Sequence, residues 1–522
     1  MIGFLAVFLQ SCGDHTSTAN PANVGGDSEP VAHNERTAGI HWQTDPEQAF
    51  EEARLSDRLV MLYWTAEWCP PCHDLKENIF PKPSFIEKSR LFVPVYLDGD
   101  QPNAQTWGEK FGVVGYPTLV VLNPDGTEIV RVSGGMNLAA YEEVLDTALS
   151  TTQPLDELLA SLDKPGDLSV TSCRRLAYHA WSYDLAYSGS GSEIGAKLLE
   201  AGQRCPAEVP VDRARLQIVA ADLLASSSAA ELSDGRAMDA AMKRALEGVY
   251  EISQSPKLAD PNAFFVLDLL TDNRSLADQF SHGENVDFIS PWLESLERFA
   301  ENPENTPYTR LYAIGGRLSI LRGTKGPDSL PEMSVIEAKE AVSEFLNEDS
   351  DGYDRSAVVL SAVFTLTKLG DYDAAQTLLL EEITQSRTPF FPMVELAQLL
   401  VESGEHVQAL DWYEKAYDNS IGSATRIQWG AMYLLACIRL QPDDSDRIVS
   451  AAVRAIGELQ GTDWSARVKR GIDYMGNSLT KWNADGEHDA ALEKIRSAML
   501  QLCGAVETES VTACEAFLAP DA

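Results

Sequence analysis

Positive charge is scarce along this chain. Its 522 residues carry 41 lysines and arginines against 79 aspartates and glutamates, a formal net charge of −38. A surface of that sign repels nucleic-acid phosphates and anionic lipid headgroups, which sets aside DNA, RNA and electrostatic membrane binding. The acid excess is spread along the chain rather than held in one tail, as a solubility or salt adaptation would spread it. Long apolar runs are missing at the N-terminus too: Ile2 to Leu9 is a run of eight, far short of the ~20 residues a membrane-spanning helix needs. No phosphate loop is complete, since SGSGSE at 188–193 lacks the GK[ST] ending and reads as a flexible turn. The stretch Asn347-Glu348-Asp349-Ser350-Asp351-Gly352 opens like a calcium loop, but its twelfth position is Val358 instead of a bidentate glutamate. It reads as an acidic turn. A second CxxC is also absent, so the one present at 69–72 has no partner for a four-ligand zinc site.

What is there begins with MIGFLAVFLQSCGDH. The apolar run resembles the core of an export signal, and its missing positive flank leaves the true start codon open. Leu9-Gln10-Ser11-Cys12 resembles a bacterial lipoprotein box, which implies cleavage before Cys12 and lipidation of its sulfur. Residues 1–12 are thus expected to be a signal and residues 13–40 a disordered tether, rich in Gly, Ser, Thr, Asn and Pro. Such a tether holds the first folded residue ~30 Å from its anchor. The expected location is the bacterial cell envelope on the periplasmic side, with membrane contact only through the lipid.

Cysteine usage fits an exported chain. The eight are 12, 69, 72, 173, 205, 437, 503 and 514. Cys437, inside the apolar run YLLACIRL, is expected to be a buried free thiol. Cys173 with Cys205, and Cys503 with Cys514, are candidate disulfides, although spacing alone does not fix connectivity.

Residues 41–152 read as an α/β domain. RLVMLYWTA (58–66) is a buried strand leading into WCPPC and a helical stretch, HDLKENIF. LFVPVYLD (91–98) is a second strand, with Pro94 marking an irregularity. NAQTWGEKFGV (103–113) is a helix, YPTLVVLNPDGTEIVRVSG (116–134) two strands joined at Asn123-Pro124-Asp125-Gly126, and LAAYEEVLDTAL (138–149) an amphipathic helix. The CxxC falls where a strand meets a helix. There the helix N-terminus offers unpaired N–H groups and the positive end of its dipole, both of which favour a thiolate. Cys69, first and nearer the surface, is the expected nucleophile, and Cys72 the resolving thiol. Pro70 and Pro71 suit a first helical turn. Trp68 is expected to give a substrate peptide an apolar surface. A zinc half-site and an inert structural disulfide are the rival readings. Neither requires a strand–helix junction, a preceding tryptophan and a facing proline loop.

Three motifs in order, WTAEWCPPC, Tyr116-Pro117-Thr118 after Val114-Gly115, and Val132-Ser133-Gly134-Gly135, make this segment resemble the thioredoxin superfamily. With NIFPKPSFIEK it resembles most the periplasmic disulfide-reductase branch. The resemblance implies a dithiol (Cys69, Cys72) cycling through a redox-active disulfide and facing a cis-proline at Pro117. Trp68, Tyr116 and Pro117 would contact substrate. It needs no cofactor and no metal. The sequence departs from the family at two places. The buried aspartate six residues before the first cysteine is Tyr63, and the partner lysine of the next strand has no counterpart at Pro94 or Tyr96. Glu67 is then the nearest carboxylate for proton transfer, with a solvated surface role as its bland alternative. Tyr116, before the proline, is larger than usual and would shape access.

From 155 to 522 strand patterns vanish and helical spacing takes over, giving an all-α, solenoid-like region with expected divisions at 155–350 and 351–522. KLGDYDAAQTLLL and ESGEHVQALDWYEKA align with Gly370 over Gly404, a period of 34, bringing Ala375 onto Ala409, Leu379 onto Tyr413 and Leu366 onto Leu400. The pattern resembles the tetratricopeptide repeat. A third unit, Ala424 to Leu459, lengthens its turn at Gln441-Pro442-Asp443-Asp444. A generic helical bundle is the alternative, and 155–350 gives no clear phase.

The expected function is an exported thiol-disulfide oxidoreductase. Its partners would be proteins with disulfides and a membrane-linked electron donor, with the helical region selecting substrates. Two alternatives stand beside it: a helical adaptor in an envelope assembly whose redox domain is accessory, and a chaperone with dormant cysteines.

Overall fold

The computed structural model describes residues 39–184, 187, 191–232, 240–323, 326–347, 353–460, 466–503 and 517. The expected signal, Cys12, the tether to residue 38, Cys514 and positions 348–352 of the acidic turn lie outside these. Gly39 and Ile40, assigned to the tether, belong to the folded body: Ile40 is buried, and a Cβ on Gly39 would run into Ile86.

The first helix, α1 (Pro46–Ser56), went unread in the sequence. Asp45 caps it, accepting from the backbone N–H groups of Glu47 and Gln48, and Pro46 occupies a position with no intrahelical partner to lose. Ala49, Phe50 and Ala53 form its buried face. Strand β1 (Leu59–Thr65) is buried along almost its whole length, the pattern of a strand covered on both faces. The dithiol segment follows as α2 (Pro70–Asp74), which runs into a π-helical turn over Leu75–Ile79, closed by the Phe80 N–H on the Leu75 carbonyl. Next come α3 (Pro83–Ser89), β2 (Phe92–Asp98), α4 (Pro102–Lys110), β3 (Thr118–Leu122), β4 (Glu128–Ser133) and α5 (Leu138–Leu149).

The mixed sheet has the order β2-β1-β3-β4, with β3 and β4 antiparallel. Pro94 therefore sits in an edge strand. Its carbonyl accepts from Gln43 on the outer side, so its missing N–H faces outward as well and takes nothing from the bond to β1. The opposite edge, β4, is covered by chain from the helical region: Ala180 donates to the Arg131 carbonyl, and the Arg175 side chain donates to that of Ile129. Arg131 is 2% exposed and pairs with Glu128 at 2.8 Å and Asp184 at 3.6 Å. Covering both edges removes the strand-pairing surfaces on which sheets aggregate.

Contacts divide the chain into two compact units, and the division is not linear. One takes the described chain up to Tyr63, then Pro70–Tyr96 and Gly115–Ala341; the other takes Trp64–Cys69, Leu97–Val114 and the described chain from Val342 onward. In the first unit the helices after α5 include Leu155–Leu162, Val170–Tyr178, Gly191–Gln203 and Pro210–Leu232. Cys173 and Cys205, one of the two candidate pairs, are joined by a disulfide. Gly191-Ser192-Glu193, expected in a flexible turn, is instead the first turn of Gly191–Gln203.

In the second unit, helices pair as Tyr353–Leu369 with Tyr372–Gln385, Phe390–Glu402 with His406–Asn419, and Ser423–Leu440 with Ser445–Gly457. The aligned side chains Ala375, Ala409, Leu379, Tyr413, Leu366 and Leu400 are all buried. Gly370 and Gly404 turn the chain between paired helices at φ of 76° and 85°, values that favour glycine. Cys437 is a buried free thiol whose pKa burial pushes up to about 11. Cys503 is disulfide-bonded.

Glu395, on Phe390–Glu402, is 7% exposed, with Oε2 lacking a hydrogen-bond partner, and burial raises its carboxyl from 4.5 to about 7. The folded state thus holds a proton that the unfolded chain releases between those pH values. Stability falls across that window and stays low above it. Glu395→Gln is expected to abolish this slope and to stabilise the second unit by ~3 kcal/mol above pH 7, with no gain below pH 4.5. Denaturant unfolding at a series of pH values measures it.

Candidate functional site

Strand β1 delivers the chain to the junction, where Cys69 closes a turn with its N–H on the Ala66 carbonyl and α2 starts at Pro70. Pro70 and Pro71 fall in the first turn of α2, where a missing N–H costs no intrahelical bond. Cys69 and Cys72 are both disulfide-bonded. Cys69 is 3% exposed and Cys72 0%. The order of accessibility is the expected one, but Cys69 is a buried sulfur and not an exposed one.

The second motif has the cis peptide that the resemblance implied. Tyr116–Pro117 is a cis peptide bond, and Thr118 Oγ1 fastens the loop by donating to the Gly115 carbonyl at 2.7 Å. Tyr116 is half-buried and Pro117 buried. Gly134 sits against the proline: a Cβ there would come to 3.3 Å from Pro117 Cγ and 3.9 Å from Leu75 Cδ1. Pro117 therefore lies beside the turn that follows Cys72. The Gly134-Gly135 pair is small because these neighbours, and Phe264 against Gly135, leave no room for side chains.

Tyr63, standing where a buried aspartate would be, is fully buried, and its hydroxyl points to the Cys72 carbonyl at 3.4 Å. Its ring packs with Phe80, Trp42 and Tyr96 at centroid distances of 4.9, 5.8 and 5.9 Å. Two charged residues that sequence reading passed over lie close by. Lys76, 6% exposed, places Nζ 5.4 Å from the Tyr96 ring centre, so a lysine arises from the π turn instead of from the strand. Asp74, 2% exposed, accepts from Asn78 at 2.9 Å and from Thr306 Oγ1 at 3.0 Å. Burial, and after it the charge of Asp74 and the proximity of Tyr63, raise the Tyr141 hydroxyl well above its ordinary range. Asp74 and Tyr63 thus both lie near the Tyr141 hydroxyl. Glu67, the carboxylate singled out from sequence, is half-buried on the other side of the motif. The signal for Asp74 was its place two residues after Cys72, on the inward side of a helical turn.

Trp68 is 6% exposed. Its indole N–H donates to Asp100 Oδ2 at 2.9 Å. Its ring lies 6.2 Å from Phe391, stacked, and 6.1 Å from Trp429, edge-on. The other Asp100 oxygen accepts from Thr425 Oγ1. Burial raises the Asp100 carboxyl above its ordinary value, opposed by the Thr425 hydrogen bond and the charge of Arg467. All of these residues belong to the second unit. The surface expected to receive a peptide at Trp68 is therefore already packed.

Among the described residues, Glu128, His179 and Asp184 could gather around a metal ion, with ligand atoms within 4.8 Å of one another. Arg131 stands among them, bonded to Glu128 and paired with Asp184. It supplies the compensating cation, and the group reads as an ion-pair network.

Known proteins match in this region. A family described as a thioredoxin-like domain covers residues 46–149. Thioredoxin H5 of Arabidopsis thaliana is 33% identical over 95 residues, which are 18% of this chain and 71% of that protein. Thiol:disulfide interchange protein DsbD of Pseudoalteromonas atlantica is 24% identical over 147 residues, 27% of this chain and 22% of that protein. Protein disulfide-isomerase tigA of Aspergillus niger is 28% identical over 130 residues, 22% of this chain and 35% of that protein. Against the latter two, the chain spans only about a fifth and about a third of their length.

Proposed function

The chain belongs to the thioredoxin family, and from that premise we propose that it is an exported thiol-disulfide oxidoreductase that reduces disulfides in proteins. The observation that carries the reading is the CxxC at a strand–helix junction, both sulfurs oxidised, with a cis-proline loop beside the turn that follows it. In the reduced enzyme the Cys69 thiolate attacks one sulfur of a substrate disulfide. A mixed disulfide forms and the first substrate thiolate leaves. The Cys72 thiolate then attacks the Cys69 sulfur, forming the Cys69–Cys72 disulfide and expelling the second substrate thiolate. Two electrons pass to the substrate, and two protons complete its thiols. A dithiol donor, membrane-linked in this reading, returns the enzyme to its reduced form. Asp74 and Lys76, both buried and two and four residues after Cys72 in the chain, are assigned a part in its deprotonation in this reading. In the same reading Tyr116 and Pro117 face the substrate, Trp68 supports Cys69 from beneath the cover of Phe391 and Trp429, Glu67 is an outer carboxylate, and Cys12 anchors the chain through lipid.

Insulin reduction by the full chain with a dithiol donor tests the activity. Equilibration with glutathione tests the direction: a potential well below about −240 mV marks a reductant, and one well above it overturns the reducing assignment. The burial of Cys69 favours a second reading, a helical adaptor whose dithiol is accessory. The Cys69→Ser, Cys72→Ser double variant separates them. It removes the cellular phenotype along with reductase activity if the protein is an enzyme, and spares the phenotype if it is an adaptor.

A further inference from the structure

Asp100 joins two parts of the second unit that lie far apart in sequence. One carboxylate oxygen holds the indole of Trp68, the residue next to Cys69; the other holds the hydroxyl of Thr425, 325 positions away, at the start of the helix Ser423–Leu440. Thr425 is completely buried and Asp100 half-buried, so this bond is partly withdrawn from water. The approach of that helix is specified as well. Gly422 precedes it with φ of 82°, and a Cβ there would stand 3.0 Å from the Asp100 Cβ. Glycine suits both the positive φ and the close approach; a side chain there would be strained and would press on Asp100. Phe391 and Trp429 then close on the Trp68 ring from helices Phe390–Glu402 and Ser423–Leu440. The outcome is a tryptophan residue 6% exposed beside a cysteine residue 3% exposed.

We propose that Thr425 is a positioning residue for the dithiol reaction: through Asp100 it pins Trp68 beside Cys69 and so sets how readily large disulfides, compared with small ones, reach that sulfur. The inference rests on the oxidoreductase reading for its chemistry, not for its geometry. Thr425 touches no reacting atom. Its hydroxyl satisfies a carboxylate that burial disfavours, and that carboxylate in turn orients the indole. Loss of the hydroxyl leaves a buried acceptor short of one donor, which loosens the indole as well. A small disulfide needs less of the covering surface moved than a folded protein does, so the two should respond differently.

The experiment uses the full chain as Thr425→Val, which keeps shape and removes the hydroxyl; Thr425→Ser, which keeps the hydroxyl; and Gly422→Ala, which crowds Asp100 by a different route. Circular-dichroism melting checks each fold. With a dithiol donor present, turnover of insulin is compared with that of a small aromatic disulfide; after dithiol reduction of the Cys69–Cys72 bond and removal of the reductant, alkylation of Cys69 by iodoacetamide is compared with that by a polymer-linked maleimide, located by peptide mass. In Thr425→Val and Gly422→Ala, the large-to-small ratio is expected to rise by about tenfold in both assays, the scale set by a hydrogen bond to a charged group. Thr425→Ser should stay near the native ratio. A ratio within twofold of native in both disrupting variants overturns the inference while small-disulfide turnover leaves the oxidoreductase reading intact. If the native chain turns over neither disulfide, the oxidoreductase reading fails, and the alkylation ratio still decides the role of Thr425. Should one variant fail to fold, the other decides the question alone.

Discussion

Alanine at position 72 is expected to convert turnover into capture. Without the second thiol, the mixed disulfide formed at Cys69 has no internal attacker, so each active molecule stops after half a cycle with its client attached. Multiple-turnover insulin reduction should fall by at least ~10³-fold, equivalent to about 4 kcal/mol of lost transition-state stabilisation. Covalent complexes, stable to denaturant and released by dithiothreitol, should accumulate on non-reducing gels. Cys69→Ser should lose turnover to the same degree and trap nothing. That contrast separates attack from resolution. Reversal of the two outcomes would exchange the roles assigned to the cysteines, and trapping by neither would leave the helical adaptor as the better description.

Removal of the Cys173–Cys205 bridge is expected to have the largest effect on stability. It closes a loop with a sequence separation of 32, for which loss of chain entropy in the unfolded state predicts about 4 kcal/mol. The double variant Cys173→Ala, Cys205→Ala avoids leaving reactive thiols. Both cysteines belong to the first unit. Denaturant unfolding should therefore show the first unit's transition displaced to lower concentration, with that of the second unit unmoved. A uniform displacement of both would mean that the chain unfolds as one body. No displacement would mean that the helices on either side retain structure after unfolding.

Much of the fold could be read from local pattern. β1 and β2 announced themselves as β-rich apolar runs, α5 by its 3.6-residue spacing, and the β3–β4 hairpin by Asn-Pro-Asp-Gly. The repeat at 366–413 was visible because a glycine and a small residue recur at one spacing, and small residues are what close helix packing demands. Residues 155–350 resisted because their helices vary in length and are broken by short pieces such as Pro256–Ala259 and Leu267–Thr271, so no fixed period survives. α1 was legible in Asp45-Pro46-Glu47 and was simply passed over.

The site divides in the same way. Short motifs place Cys69 and Cys72 at a strand–helix junction and Pro117 in a cis-proline loop, and both features are local. The exposure of Cys69 was misjudged because the residues that pack around Trp68 come from positions 391 to 429, and nothing local hints at a contact spanning some three hundred residues. Lys76 escaped notice because it lies in the π turn over Leu75–Ile79, where a regular helical wheel no longer gives the direction of a side chain. Asp74 precedes that turn and was legible from its place two residues after Cys72.

Trp64–Cys69 and Leu97–Val114 are counted by their contacts with chain that begins at Val342. No single break in the backbone can therefore liberate either unit whole. A gene fragment ending near residue 150 would encode a protein whose Trp68 has lost Phe391 and Trp429, and a fragment starting there would lack Trp64–Cys69 and Leu97–Val114. Exchange of modules by cutting and splicing is closed to such a chain, and its two parts must be inherited together.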